Sequence, residues 1–174
     1  MLLNVGSGQR RFGTPECPWV NVDINPRWNP DIVADGATMN MDSDSAEVIV
    51  LHHTLEHYGC GEADMLIRNC HRILKPGGSL LVFVPDMDAL ARAWIAGKIP
   101  TQVYMTSVYG AFMDSDADRH RWGFTRLTLG EFLTQCRNPS RDLPWSDLRL
   151  FDGRLIPGAD IAQDWWILGV EAIK

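Results

Sequence analysis

Two apolar runs flank one amphipathic segment, and together they decide the fold class. "EVIVL" (47–51) and "SLLVFV" (79–84) are apolar on both faces, the pattern of strands buried in the middle of a parallel sheet. Between them, in "EADMLIRNCHRILKPGG", Met65, Leu66, Ile67, Cys70, Ile73 and Leu74 recur at helical spacing. Pro76-Gly77-Gly78 reads as the stop of that helix. A strand, a helix and a strand in this order require parallel neighbours joined by a right-handed crossover.

The remaining segments extend the same pattern. "LLNV", "VNVDI" and "DIVAD" are shorter strands, and "DMDALARAWIAGK" predicts a helix. Thr101 to Thr125 reads as a long irregular stretch, and "TRLTLGEFLTQC" as an amphipathic helix. "DLRLF" and "WWILGVEAI" predict two final strands. In the last, Trp166, Leu168, Val170 and Ala172 face one way and Trp165 and Ile167 the other, so both faces are apolar and the strand belongs inside the sheet. The expectation is an α/β fold with a doubly wound, seven-stranded sheet. Its first flank is unusual. Only 14 residues, Gly6 to Trp19, separate the first two strands, and they include Pro15 and Pro18. "NPRWNP" resists a helix as well. The first crossover helices are therefore expected to be reduced or missing. Trp19 and Trp28 are expected to cover the exposed sheet face, or else a second copy of the chain in a homodimer.

At 174 residues, with 45% apolar and 22% charged side chains, the chain is expected to be a single domain. Residues 1–86 form its cofactor-binding half, 87–125 an acceptor-side helix and lid, and 126–174 a C-terminal helix with two strands. The net charge of −6 disfavours nucleic acid as a partner. Arg119, His120, Arg121 and Arg126 read as a solvated loop before they read as a basic patch. Cys17, Cys60, Cys70 and Cys136 show no C-x-x-C spacing and are expected to be reduced. No signal-peptide pattern and no apolar run of about 18 residues is present, so a cytoplasmic location without a membrane span is expected.

In an open parallel sheet, ligands bind beyond the carboxyl ends of the strands. Gly6-Ser7-Gly8 follow the first strand, Asp23 and Ile24 the second, and Asp35-Gly36 the third. His52, His53 and Thr54 follow the fourth, and Pro85 and Asp86 the fifth. Glycines remove side chains where a ligand must lie against backbone. An acid closing the second strand is placed to accept two ribose hydroxyls, and Asp35 to accept from an exocyclic amine. That edge suits an adenosine. A dinucleotide would need GxGxxG opening a helix whose amides and dipole hold a pyrophosphate. Here Arg11 stands at the third glycine's position, and no helix is expected. A phosphate-free adenosine cofactor needs neither. Plainer structural readings stay open: the glycines as a turn, Asp23 as a cap, Asp35-Gly36 as a turn pair, and Asp86 as the N-cap of the next helix.

With "LNVGSG", "NVDINP", "DIVADG", "LHHTLEH", "HRILKPGGSLLVFVPD" and "HRWGFT", the chain resembles class I S-adenosylmethionine-dependent methyltransferases of the small methyltransferase-11-like type. The resemblance implies a Rossmann-like, mostly parallel sheet with an antiparallel C-terminal strand, and S-adenosylmethionine as cofactor. It implies Gly6, Ser7 and Gly8 at the methionine end of the cofactor, Asp23 on the ribose, and Asn4 among the cofactor-binding residues. Ile24 would lie on the adenine, Asp35 and Gly36 at its amine, and His52 and His53 beside the sulfonium. Three departures stand out: Asn4 where an acid is usual, no third glycine, and a lost first crossover helix.

"HTLEH" (53–57) also matches H-x-x-E-H, a zinc-peptidase signature. That chemistry needs two histidines on one helical face and a third ligand. His53 is expected at a strand end, so no metal is expected, and His57 reads as a structural histidine. Methyl transfer needs a base only when the acceptor must lose a proton, and His53, His57 and His120 are the catalytic candidates. "HRWGFT" is either an acceptor site or a packed loop. No N/D-P-P-Y/F follows the fourth strand, which argues against DNA-base amino-methylation. The acceptor expected by analogy is a small molecule, a hydroxyl of a sugar or glycan intermediate. A non-catalytic cofactor-binding module and a nucleotide-binding oxidoreductase are the alternatives.

Overall fold

One sheet carries the structure. Its strands are β1 (Leu2–Val5), β2 (Val20–Asp23), β3 (Ile32–Val33), β4 (Ala46–His52), β5 (Leu74–Pro85), β6 (Asp147–Leu150) and β7 (Ile167–Ile173). They lie in the order β3-β2-β1-β4-β5-β7-β6, parallel from β3 through β5, with β7 antiparallel to both its neighbours. The helices are α1 (Cys60–Ile73), α2 (Met87–Ile95), α3 (Thr101–Tyr109) and α4 (Arg126–Gln135). The computed structural model describes residues 1–111, 116–135, 143–161 and 164–174; Cys136 lies outside them. The seven-stranded α/β architecture with β7 inside the sheet is the one the apolar patterning predicts, and the antiparallel direction of β7 is the one the family resemblance implies.

The two faces of the sheet are covered differently. On one, Leu66, Ile67, Cys70 and Ile73 of α1 and Leu129 and Leu133 of α4 pack on Leu3, Val5, Ile49, Leu51, Leu80 and Val82. The other face presents Val50, Leu81 and Phe83, and its cover comes from two irregular segments. Phe12 and Trp19 pack edge to face at 5.3 Å, beside Phe151, Ile156, Ala159 and Ile161 from the β6–β7 connection. The two segments are sewn together by Gly13 N–H to Gly158 O (2.7 Å) and Trp19 Nε1–H to Pro157 O (2.9 Å). Glu171 on β7 anchors the second segment. It is 1% exposed and accepts from Arg154 at 2.5 Å and Arg149 at 3.0 Å. Burial pushes its carboxyl pKa up, but the hydrogen bonds from Arg154, Ser79 and Arg149 outweigh this and hold it below the usual value. The chain thus covers this face itself. Trp28, expected to help, sits instead in the wall of a cavity.

No α-helix links β1 to β2, and a side-chain network takes its place. Asn4 Nδ2 donates to Arg10 O (2.8 Å) and to Asn21 Oδ1 (3.0 Å). Asn21 accepts from Phe12 N–H (2.8 Å) and donates to Phe12 O and Asp31 Oδ2 (both 3.0 Å). Arg11 pairs with Asp31 and donates to Asn29 O. These bonds satisfy backbone groups that a helix would have satisfied internally.

Three local expectations meet a different outcome or a firm one. Pro76-Gly77-Gly78 does not end α1, which stops at Ile73. The three residues lie inside β5, where pairing shifts from Ala46↔Leu74 to Val48↔Ser79. Part of the stretch expected to be irregular is α3, held to α2 by Trp94 stacked on Tyr104 at 4.6 Å. Asp86 caps α2 through Oδ1, accepting from the amides of Asp88 (3.0 Å) and Ala89 (3.1 Å).

The network makes Asn4 a donor that an acid cannot replace. Asn4→Asp is expected to cost about 2–4 kcal/mol, because a buried carboxylate would then face two acceptor oxygens. Urea unfolding of the two proteins measures the difference.

Candidate functional site

The strand order reverses at β1: the chain continues through β2 and β3 on one side and resumes with β4 and β5 on the other. At such a switch point the connections diverge and open a cleft. Here the cleft begins where β1 touches the turn after β4. Thr54 Oγ1–H donates to Val5 O (2.9 Å), and a Cβ on Gly6 would stand 2.5 Å from Thr54 Oγ1. Gly6 also has φ +71°, so both its conformation and its neighbour demand glycine. Beyond it, Gly6 N–H and Ser7 N–H donate to Val22 O, and Gly8 N–H to Asp23 Oδ2 (2.7 Å). Asn25 N–H donates to Asp23 Oδ1 (2.8 Å), so two backbone amides fix this buried carboxylate in place.

The cavity that results holds about 310 Å3. Ile24, 56% exposed, forms an apolar shelf beside Asp23. Opposite, Asp35 Oδ1 accepts from Ala37 N–H (2.9 Å) and from the Tyr58 hydroxyl (2.7 Å). Burial, and then the bond to Asp35, raise the Tyr58 pKa, so the phenol stays protonated and donates. Gly36 serves packing, since a Cβ there would stand 2.6 Å from Val5 Cγ1 and 2.8 Å from Leu66 Cδ1. In charge, four carboxylates in the wall (Asp23, Asp35, Glu62, Asp118) face one guanidinium, Arg121, which is itself bonded to Glu62 at 3.1 Å.

His53 and His57 lie along the other wall. His53 has φ +54° and gives its Nδ1 proton to Glu56 Oε1 at 2.9 Å. Its ring packs on Trp166 at 5.3 Å and edge-on to His52 at 4.8 Å. Glu56 is buried in the short 310 turn Leu55–His57. Burial raises its pKa, but the His53 hydrogen bond and the charges of His53 and His57 outweigh that and keep it an anion. The loop after α3 is pinned here: Arg121 N–H and Trp122 N–H both donate to Glu56 O, at 2.8 and 3.2 Å. His57 Nδ1 donates to Arg119 O (3.1 Å), and the His57 and His120 rings meet edge to face at 4.9 Å. Burial lowers the His120 pKa, with the charge of Glu56 opposing. Gly110 permits this closure, since a Cβ there would collide with Asp118 O.

Of the residues singled out from sequence, Gly6, Gly8, Asp23, Ile24, Asp35, Gly36, His53 and His57 line the cavity. Asn4, Ser7, His52 and His120 do not. Asn4 is engaged in the network beneath the loop, the Ser7 hydroxyl is buried with no hydrogen-bond partner among the described residues, and His52 packs on Phe83 at 5.7 Å. Lining residues that sequence reasoning missed include Trp28, Tyr58, Glu62, Asp118 and Arg121. Tyr58 directly follows the H-x-x-E-H motif, one position beyond the residues considered. "HRWGFT" turns out mixed: Arg121 lines the cavity, while Phe124 is core.

A family model described as "Methyltransferase domain" matches residues 15–82. No curated protein matches the sequence. Several solved structures share the fold. An S-adenosylmethionine-dependent methyltransferase from Thermotoga maritima superposes with a TM-score of 0.63 at 14% identity, over 99% of this chain and 81% of that one. One from Archaeoglobus fulgidus gives 0.61 at 13% identity, over 99% and 85%. The 1,6-didemethyltoxoflavin-N1-methyltransferase of Burkholderia thailandensis, solved with 1,6-didemethyltoxoflavin and S-adenosylhomocysteine bound, gives 0.58 at 16% identity, over 99% and 70%. The fold is that of the class I S-adenosylmethionine-dependent methyltransferases. Solved structures that share the fold include S-adenosylmethionine-dependent methyltransferases and one with S-adenosylhomocysteine bound.

The contact at Gly6 is directly testable. Gly6→Ala is expected to destabilise the protein by about 1–3 kcal/mol. Adding Thr54→Ala should recover part of that loss, giving a non-additive double-mutant cycle in denaturant unfolding.

Proposed function

We propose that the chain binds S-adenosylmethionine in the cavity at the ends of β1, β2 and β4 and transfers its methyl group to a hydroxyl of a small acceptor such as a sugar or glycan intermediate. One observation carries this reading: the cavity is lined by carboxylates and offers no helix N-terminus after Gly6-Ser7-Gly8. Such a wall favours a cationic ligand and repels a pyrophosphate. Asp23, held by two backbone amides, accepts the ribose hydroxyls. Ile24 packs on the adenine, and Asp35, oriented by Tyr58, accepts from the adenine amine. Gly6 and Gly8 give the methionine part room against the backbone.

Bound there, S-adenosylmethionine supplies an electrophilic methyl group on a cationic sulfur. The chain supplies alignment, exclusion of water and a base. His53 is the base this geometry favours. Its Nδ1 proton is committed to Glu56, so the lone pair is on Nε2, and the buried carboxylate stabilises the imidazolium that forms. S-adenosylmethionine held there would supply the methyl group for the acceptor oxygen, and His53, through Nε2, would take the hydroxyl proton. The loop carrying Ala117, Asp118 and Arg121 closes the acceptor side of the cavity.

Thermal denaturation with S-adenosylhomocysteine or NAD separates this reading from a dinucleotide enzyme. S-adenosylhomocysteine at 100 times its Kd is expected to add about 2.7 kcal/mol, a rise in Tm of roughly 5–10 °C, and NAD none. Asp23→Ala should abolish most of that rise. A shift with NAD alone, or a full shift retained in Asp23→Ala, would overturn the reading.

A further inference from the structure

Glu56 carries a feature that methyl transfer does not require. It is 1% exposed, and only Oε1 has a partner, His53; Oε2 is buried and accepts no hydrogen bond among the described residues. A buried carboxylate oxygen without a donor is costly, and folded proteins keep few of them. The nearby imidazoles do not supply the donor. His57 gives its Nδ1 proton to Arg119 O at 3.1 Å, and His120 gives its own to Ser107 O at 2.9 Å. A carbonyl oxygen only accepts, so each neutral ring keeps its lone pair on Nε2. The adjacent guanidiniums are already engaged: Arg121 with Glu62 at 3.1 Å and Asp116 at 3.8 Å, Arg119 with Asp116 at 3.0 Å. One ligand atom from each of Glu56, His57 and His120 lies within 4.8 Å of one from each of the others. Three potential metal ligands are therefore gathered in one place.

We propose that Glu56, His57 and His120 form a binding site for one divalent transition-metal ion. Two imidazole nitrogens and one carboxylate oxygen suit Zn2+, Co2+ and their first-row neighbours, whereas Mg2+ and Ca2+ prefer oxygen throughout. The carbonyl bonds at both Nδ1 atoms fix tautomer and ring orientation, the outer support that metal-binding histidines use. Metal–ligand bonds of about 2.0–2.2 Å in a tetrahedral site separate the donors by about 3.5 Å, so binding draws the trio together by about 1 Å at its widest edge. The ligand set is not the one that H-x-x-E-H suggests. His53 is committed to Glu56 Oε1, and the third ligand comes from the loop after α3. Three protein ligands leave a fourth coordination position free, and His57 is the member of the trio that also lines the cavity. The site requires neither S-adenosylmethionine nor methyl transfer, so it stands or falls independently of the function proposed above.

The test uses the full chain, stripped with a chelator and dialysed. Titration with Zn2+ by calorimetry is expected to show one ion per chain with micromolar or tighter affinity. Co2+ should give a visible d–d spectrum with no thiolate charge-transfer band. His57→Gln and His120→Gln should each weaken Zn2+ binding by roughly 100-fold or more, and His71→Gln, outside the trio, should leave it unchanged. Histidine ring resonances in the unmutated protein give a check free of folding effects: Zn2+ should shift those of His57 and His120 and not that of His71. Absence of stoichiometric binding, wild-type affinity in both cluster variants, or shifts confined to other histidines would overturn the proposal.

Discussion

Gly6 against Thr54 is the contact on which the site depends. Thr54 hydroxyl reaches Val5 O from the turn after β4, and only a glycine lets β1 finish that close. From this point the chain parts in two directions. On one side Gly8 and Asp23 lock together; on the other, His53 turns into the left-handed region and Leu55–His57 forms a single 310 turn. The cleft is the space between those two departures. Its position follows from strand order, and its chemistry from the residues each departure sets in place.

Loss of the first crossover helix has structural consequences well beyond its own segment. A sheet face without a helix must be covered, and the β6–β7 connection supplies the cover, tied down by the Arg154–Glu171 pair. The β1–β2 segment must satisfy its backbone, and Asn4, Asn21 and Asp31 do so. This explains why position 4 holds an amide: an amide donates to the Arg10 carbonyl, and a carboxylate does not. It also removes the helix N-terminus that would favour a phosphate, which leaves an acidic cleft better matched to a cation.

The sheet, its seven strands and several of the residues that line the cavity were legible in the sequence because they rest on strong periodic or positional signals. Apolar strands such as "SLLVFV" and the alternation through "WWILGVEAI" specify burial directly, and Asp23 and Asp35 are placed by the ends of the strands before them. The rest depended on contacts distant in sequence. α3 buries none of its residues, so no apolar stripe marks it. Pro76-Gly77-Gly78 resembles a helix stop, yet an irregularity in strand pairing absorbs it. Trp28 was misplaced because an aromatic residue beside a short loop suits a sheet cover as well as a cavity wall. His57 meets His120 only because backbone bonds from Arg121 and Trp122 to Glu56 fold the later loop onto the 310 turn.

The central claim is that the acidic cleft at the ends of β1, β2 and β4 is built for an adenosine bearing a cationic sulfur. A crystal structure of the complex with S-adenosylhomocysteine, the neutral product form, tests it most directly. The account predicts the adenine on Ile24 with its amine at Asp35, and both ribose hydroxyls within hydrogen-bond distance of Asp23. A saturated crystal in which this cleft is empty, or in which the nucleoside lies against some other part of the surface, would contradict it.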